Sequence, residues 1–279
     1  MYIVILTEKF ERAAFQPKQG SAESMSKVTI KRVLIPDETF ERSAILKALQ
    51  ELLHEVLQDS ALRQCVLYIP TKGALQGTTL EGALGTKASK ALLSNKRLSL
   101  ESSSLRLETD ASFKGYTPCD AVVVIYADQK MMDKVDSNPH PKLVICVPHL
   151  LEAVDSWKRS WGPITPNKPQ EDFEPIGNKV VEAALLSMTS RINLGSQVLS
   201  SLDQESVKDA FRILRAHRQT EDPGNIRAWC IKHGWHAKAA DEAVKYSIKA
   251  FALASKPSQY GRHWATDIYE QWVEGAAKG

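Results

Sequence analysis

Ala121-Val122-Val123-Val124-Ile125-Tyr126, continued by Ala127-Asp128, and Leu143-Val144-Ile145-Cys146-Val147, continued by Pro148-His149, are the two runs on which the fold turns. Neither alternates apolar with polar residues, so neither strand has a face for water. Strands covered on both faces belong to parallel sheets flanked by helices. Between the runs, Asp128 stands where it caps a helix reaching about Val135, which supplies the crossover that a parallel pair requires.

The same alternation of strand and helix extends toward the N-terminus. Val28–Ile35 reads as a strand, and Ile45, Leu49, Leu52, Val56 and Leu57 then recur at helical spacing. Cys65–Ile69 is a short apolar run ended by Pro70, and Leu80–Leu93 is a further helix. Leu98, Leu100, Leu105 and Leu107 alternate with polar residues around Ser102–Ser104, the pattern of a hairpin at a sheet edge. After the last strand, Pro148 occupies a first-turn position, where its missing N–H costs nothing, and Leu150, Leu151, Val154 and Trp157 continue that helix.

The expected fold class is α/β: a Rossmann-like, mainly parallel sheet domain over 27–162, followed by a small all-helical domain over 175–279. Residues 1–26 form an extension with one candidate strand, Tyr2–Leu6. Pro163, Pro166, Pro169 and the acidic pair Glu171–Asp172 mark 163–174 as the linker. Trp157 and Trp161 interleave with Lys158 and Arg159 just before it and read as cover for a domain seam, or else as a stacking surface. Beyond the linker the candidate helices are Val180–Met188, Gln204–Ala216, Ile226–Lys232, Ala237–Leu253 and His263–Glu274.

The 279 residues carry 36 Lys and Arg against 33 Asp and Glu, an ordinary balance that argues against a disordered or collagen-like chain. Four cysteines lie far apart with no C-x-x-C pair, so neither a disulfide scaffold nor a zinc site is expected, and no metal site is nominated. Met1–Thr7 is a short apolar run followed at once by Glu8 and Lys9, unlike a signal peptide or a membrane span. A reducing cytoplasm is the expected compartment, with no membrane partner.

Ligands of open parallel sheets bind beyond the carboxyl ends of the strands. Four segments lie there. Asp37 and Glu38 follow the first strand. Lys72, Gly73, Gly77 and Thr78 sit in the loop after the second, where glycine backbone, free N–H groups and one ammonium suit a phosphate. The loop lacks the G-K-[ST] of a Walker A motif, and Thr78 with Glu81 equally spells a capping box. Asp128 and His149 follow the two central strands, as acid or base candidates or else as a helix cap and an exposed first-turn residue. No motif names a cofactor.

The C-terminal part concentrates positive charge: Lys208 to Arg262 holds eleven Lys and Arg against five Asp and Glu. Asp222-Pro223 starts a helix with an apolar face at Ile226, Trp229 and Cys230, Gly234 supplies a turn, and a second helix begins at Ala237, a helix-turn-helix-like pair. Lys238, Lys245 and Lys249 are seven and four residues apart and share one helical face. With Arg227 and Lys232 they are the nucleic-acid candidates, whereas Trp229 and Trp235 read as core. The chain therefore reads as a noncatalytic cytoplasmic binding protein that contacts nucleic acid or a protein assembly through its basic helical domain. Two alternatives stay open: an enzyme acting on a nucleotide or other phosphorylated small molecule at the sheet edge, and a sensor coupling that edge to DNA binding.

Overall fold

The computed structural model describes residues 30–36, 41–166, 174–258 and 260–278. Tyr2–Leu6, Asp37 and Glu38 lie outside the described residues, as do 167–173 of the expected linker. The chain divides into two compact units: 1–153 with 163–169, and 154–162 with 170–279.

The first unit is built on six strands: β1 (Lys31–Leu34), β2 (Gln64–Ile69), β3 (Leu98–Leu100), β4 (Ser103–Thr109), β5 (Ala121–Ala127) and β6 (Leu143–Pro148). Their order is β1-β6-β5-β2-β4-β3, and every pair is parallel except the β3–β4 hairpin at the edge. The α/β class and the mostly parallel sheet are thus those expected. β5 and β6 are interior strands, each paired on both sides, which agrees with their apolar runs and lack of a polar face.

Odd and even residues of the strands face different layers. Val33, Leu67, Val123 and Ile145 pack with α1 (Arg42–Gln58), α2 (Thr79–Leu84) and α3 (Thr86–Leu93) in one core. Tyr68, Val122, Val124 and Cys146 are equally buried but point the other way, and α4 (Gln129–Asp136), which packs on β5, buries Met131, Met132 and Val135. Tyr68 stacks on Phe113 at 4.5 Å, so the loop after β4 covers part of the same layer.

Three local expectations change. The single helix expected over Leu80–Leu93 is two, because Gly85 adopts φ +83°, ending α2 and starting α3 in a conformation closed to most L-residues. Pro148 ends β6 rather than opening a helix, and the segment beyond it divides into a 3-10 turn (Leu151–Val154) and α5 (Asp155–Trp161). The chain then returns to the sheet unit: Ile164 bridges Val33 in parallel, donating its N–H to Arg32 O at 2.9 Å and accepting from Leu34 N at 2.8 Å. Ile164 falls within the segment read as linker. A local pattern does not reveal one residue pairing with a strand 131 positions earlier.

The second unit holds α5, α6 (Lys179–Thr189), α7 (Ser201–Ala216), α8 (Pro223–Lys232), α9 (Ala237–Phe251) and α10 (Ile268–Lys278), with no strand among its described residues. α5, read as part of the sheet domain, belongs here because it packs on α8. Caps set the helix starts. Ser200 and Asp203 form a reciprocal capping box on α7, and Asp222 accepts from Gly224 N and Asn225 N ahead of Pro223.

Four indoles fill the core of this unit and each donates its N–H. Trp229 reaches Glu182 Oε1 (3.4 Å), Trp235 reaches Thr189 Oγ1 (2.8 Å), Trp272 reaches Ser187 Oγ (3.0 Å) and Trp264 reaches Ser206 O (2.8 Å). Three of these acceptors lie on α6, which therefore sets where α8 and α10 lie within the unit. Replacing Thr189 by Val keeps the volume but leaves the Trp235 N–H without its acceptor. A loss of about 1–3 kcal/mol is expected, read as a lowered urea midpoint at unchanged slope, with Thr189→Ser close to wild type.

Candidate functional site

At the carboxyl edge of the sheet, Lys72 opens a 3-10 turn and its Nζ lies 3.4 Å from Asn95 Oδ1. Gly77 is in the left-handed region (φ +65°), and its N–H, the group nominated for an anion, donates to Glu81 Oε2 at 2.7 Å. Thr78 does not cap α2 with its side chain. Its hydroxyl donates to Ala74 O at 2.9 Å. The expected capping box does not form, and the Glu81 carboxylate instead occupies the Gly77 donor. Gly73 lies in the same turn, with the Thr71 hydroxyl 3.7 Å from where a side chain would start.

Asp128 and His149 directly follow Ala127 and Pro148, which are partners across β5 and β6. The fold thus brings them side by side, and His149 donates its backbone N–H to Ala127 O at 3.0 Å. The Asp128 carboxylate caps α4 by accepting from Met131 N at 2.8 Å. Two residues before Asp128, Tyr126 takes φ +61° at a bulge in β5. A bulky residue there is strained, and the ladder on both sides holds it.

The sequence reading missed the strongest polar cluster of this unit. Asp110, the first residue after β4, accepts from Tyr68 Oη at 3.0 Å, from Lys130 Nζ at 2.9 Å and from Lys134 Nζ. The Lys134 ammonium also donates to Asp110 O at 2.8 Å. Burial works to raise the Asp110 carboxyl, but the hydrogen bonds from Lys134, Lys130 and Tyr68 outweigh it and hold it at about 2. Burial, then the bond to Asp110, pushes the Tyr68 phenol well above its ordinary value, so at neutral pH it is a donor and not a base. Lys130 and Lys134 one helical turn apart, with an Asp at a strand end, were the available signal. The cluster clamps α4 to the ends of β2 and β4.

The thiols offer no nucleophile. All four are free and buried, and burial raises Cys65 to about 12 and Cys119 to about 11, with Cys146 and Cys230 pushed up as well. Among the described residues no group of three or more His, Cys, Asp and Glu is placed to hold a metal. No helix among them is long and apolar enough to cross a membrane.

In the second unit Trp229 and Trp235 are core residues. Of the five nucleic-acid candidates, Lys238, Lys245 and Lys249 are exposed on α9, and no side-chain hydrogen bond or ion pair engages them among the described residues. α9 carries two carboxylates, and both are committed elsewhere. Asp241 accepts from Arg227 Nε at 2.7 Å, and Glu242 accepts from Leu199 N at 3.1 Å. Arg227 itself is turned inward. Its guanidinium also donates to Ser156 Oγ at 2.8 Å, and its side chain is 13% exposed, so the expectation that it reaches a phosphate gives way to an internal role. Lys232 lies 3.5 Å from Glu174 and keeps an exposed position.

The Asp110 cluster makes a prediction with a definite pH sign. A carboxyl held below its unfolded value of about 3.9 contributes stability that is present above that value and is lost as pH falls toward the folded value. Asp110→Asn should therefore cost about 1–2 kcal/mol at neutral pH, the range of a partly solvated charged network. Parallel denaturant titrations should show wild type and variant converging as pH falls from about 4 toward 2.

Residues 177–273, from the start of α6 into α10, match a family described as Domain of unknown function (DUF1889). No curated protein and no solved structure matches the chain.

Proposed function

We propose that this protein is a noncatalytic binding protein whose basic C-terminal helical domain contacts the phosphate backbone of nucleic acid through the lysine face of α9. The observation that carries the reading is the pairing of Asp241 and Glu242 away from Lys238, Lys245 and Lys249, which keeps three exposed ammoniums unneutralised on one face. Each phosphate met by such a charge releases condensed counterions, a gain that needs no base contact. In this reading α8 and α9 act as a helix-turn-helix-like pair, with Gly234 (φ +85°) at the turn, and the sheet unit is Rossmann-like. Four free thiols suit a reducing cytoplasm.

The test is a salt-dependent titration of the full chain against duplex DNA. Three phosphate contacts give a slope of log K on log salt of about −2.7, or about 40-fold weaker binding from about 50 to about 200 mM salt. Lys238→Glu, Lys245→Glu and Lys249→Glu together should abolish that dependence, and unchanged binding by the triple variant rejects the face.

Arg227→Ala adds a second check. It frees Asp241 to pair with Lys238 or Lys245, three and four residues away on the same helix. The salt slope should flatten by about 0.9, one contact's worth, and Arg227→Ala combined with Asp241→Ala should restore it. A direct phosphate contact by Arg227 predicts no such rescue.

A further inference from the structure

We infer that the nucleic acid taken by the α9 face is double-stranded and is held by its phosphates without base stacking or base reading. This rests on the lysine-face reading above. Proteins that bind single strands without sequence preference combine a basic track with aromatic side chains on which bases stack, each stacked base adding a large share of the affinity. The second unit is rich in aromatic residues, yet the two on α9, Tyr246 and Phe251, are only partly exposed, and Phe251 packs edge-on against Phe211 at 5.8 Å.

Trp229, Trp235, Trp264 and Trp272 are in the core with their indole N–H groups engaged. Tyr246 is the neighbour of Lys245, but its hydroxyl donates to Gln204 Oε1 at 2.9 Å and the Lys208 ammonium lies over its ring at 4.9 Å. Tyr269 is stacked at 3.5 Å against His217. Among the described residues of the unit, Tyr260 is the aromatic left exposed, at 63%, in the segment where Gly261 and Arg262 fold against Asp209 of α7. One isolated ring does not make a track for successive bases.

The spacing of the charges points the same way. On a helix rising 1.5 Å per residue, Lys238 to Lys245 spans about 10.5 Å and Lys245 to Lys249 about 6 Å, along one rigid line. A duplex offers a charge for every 1.7 Å or so of its axis in a lattice already ordered, whereas a single strand must be ordered against the row and releases fewer counterions per contact. Between Lys245 and Lys249 the exposed residue is Ile248, which has no donor or acceptor to read a base edge, and between Lys238 and Lys245 the partly exposed Asp241 and Glu242 carboxylates are engaged by Arg227 and by Leu199 N. Duplexes of unrelated sequence should bind alike.

The experiment is fluorescence anisotropy of the full chain with a mixed-sequence DNA duplex, an unrelated duplex and each separated strand, for wild type, Tyr260→Ala and the triple α9 charge reversal. The difference in counterion release alone favours the duplex about fourfold at 0.1 M salt for three contacts, and strand ordering adds to it. Expected are tighter duplex binding, indifference to duplex sequence, no effect of Tyr260→Ala and loss in the triple variant. Strands that bind as tightly as the duplex, or binding that falls with Tyr260→Ala, overturn the inference while leaving the lysine face standing if the triple variant still loses binding. Absence of binding to duplex and strands alike removes both.

Discussion

Asp241 has lysines three residues before it and four after it on α9, and it pairs with neither. The Arg227 guanidinium on α8 takes its carboxylate at 2.7 Å, with Ser156 Oγ of α5 as the second acceptor. That choice has a physical reason. A planar guanidinium, mostly shielded from water, forms a directional bond to a carboxylate, whereas a solvated lysine on the same helix offers only a few tenths of a kcal/mol, about 0.2–0.5. The pairing joins α8 to α9, draws α5 into the same unit and leaves α9 with its positive charge outward. In the proposed reading, the Arg227–Asp241 pair is what leaves this surface free to meet phosphates.

The carboxyl edge of the sheet is arranged in the opposite way. Among the described residues, three polar groups at that edge are answered from within the chain: Gly77 N–H by Glu81, Asp128 by Met131 N, and Asp110 by two lysines and a tyrosine. An anion arriving at Gly77 must displace a carboxylate already in place, and one arriving at Lys130 or Lys134 meets an ammonium already paired with Asp110. The charge is spent on structure here. In α9 it is not, and that contrast, more than the count of basic residues, directs attention to the helical unit.

The parts of the fold legible in the sequence were those where burial leaves a local trace. β5 and β6 are continuous apolar runs because both faces are covered, and the β3–β4 hairpin alternates because it is at an edge. Helix periodicity located α1 and α6 to α10 for the same reason. What escaped depends on pairs distant in sequence or on a single backbone angle. Ile164 joins β1 through two backbone bonds that no side-chain pattern encodes. Gly85 splits a helix that composition alone would continue. The Asp110 clamp joins residues from β2, the end of β4 and α4, and each looks like ordinary surface in its own segment. Arg227 shows a different limit: its charge is visible in the sequence, but its direction, toward Asp241 and Ser156, is not.

The buried tryptophans also hold α9 in place. Trp229 of α8 stacks on His233 at 3.6 Å, and His233 Nδ1 lies 2.8 Å from Trp229 O, which fixes the end of α8 just before the Gly234 turn. Trp235, immediately after that turn, is anchored to Thr189 of α6. α9 thus starts from a point held on both sides, and Arg227 to Asp241 fixes its rotation. In the proposed reading, a charged face carried by a helix so constrained would lose little backbone freedom on meeting a rigid anionic lattice, since ordering of flexible groups is a main cost of association. The same residues that consume the aromatic surface of the unit, and so deny it a stacking platform, are those that hold its lysines in line.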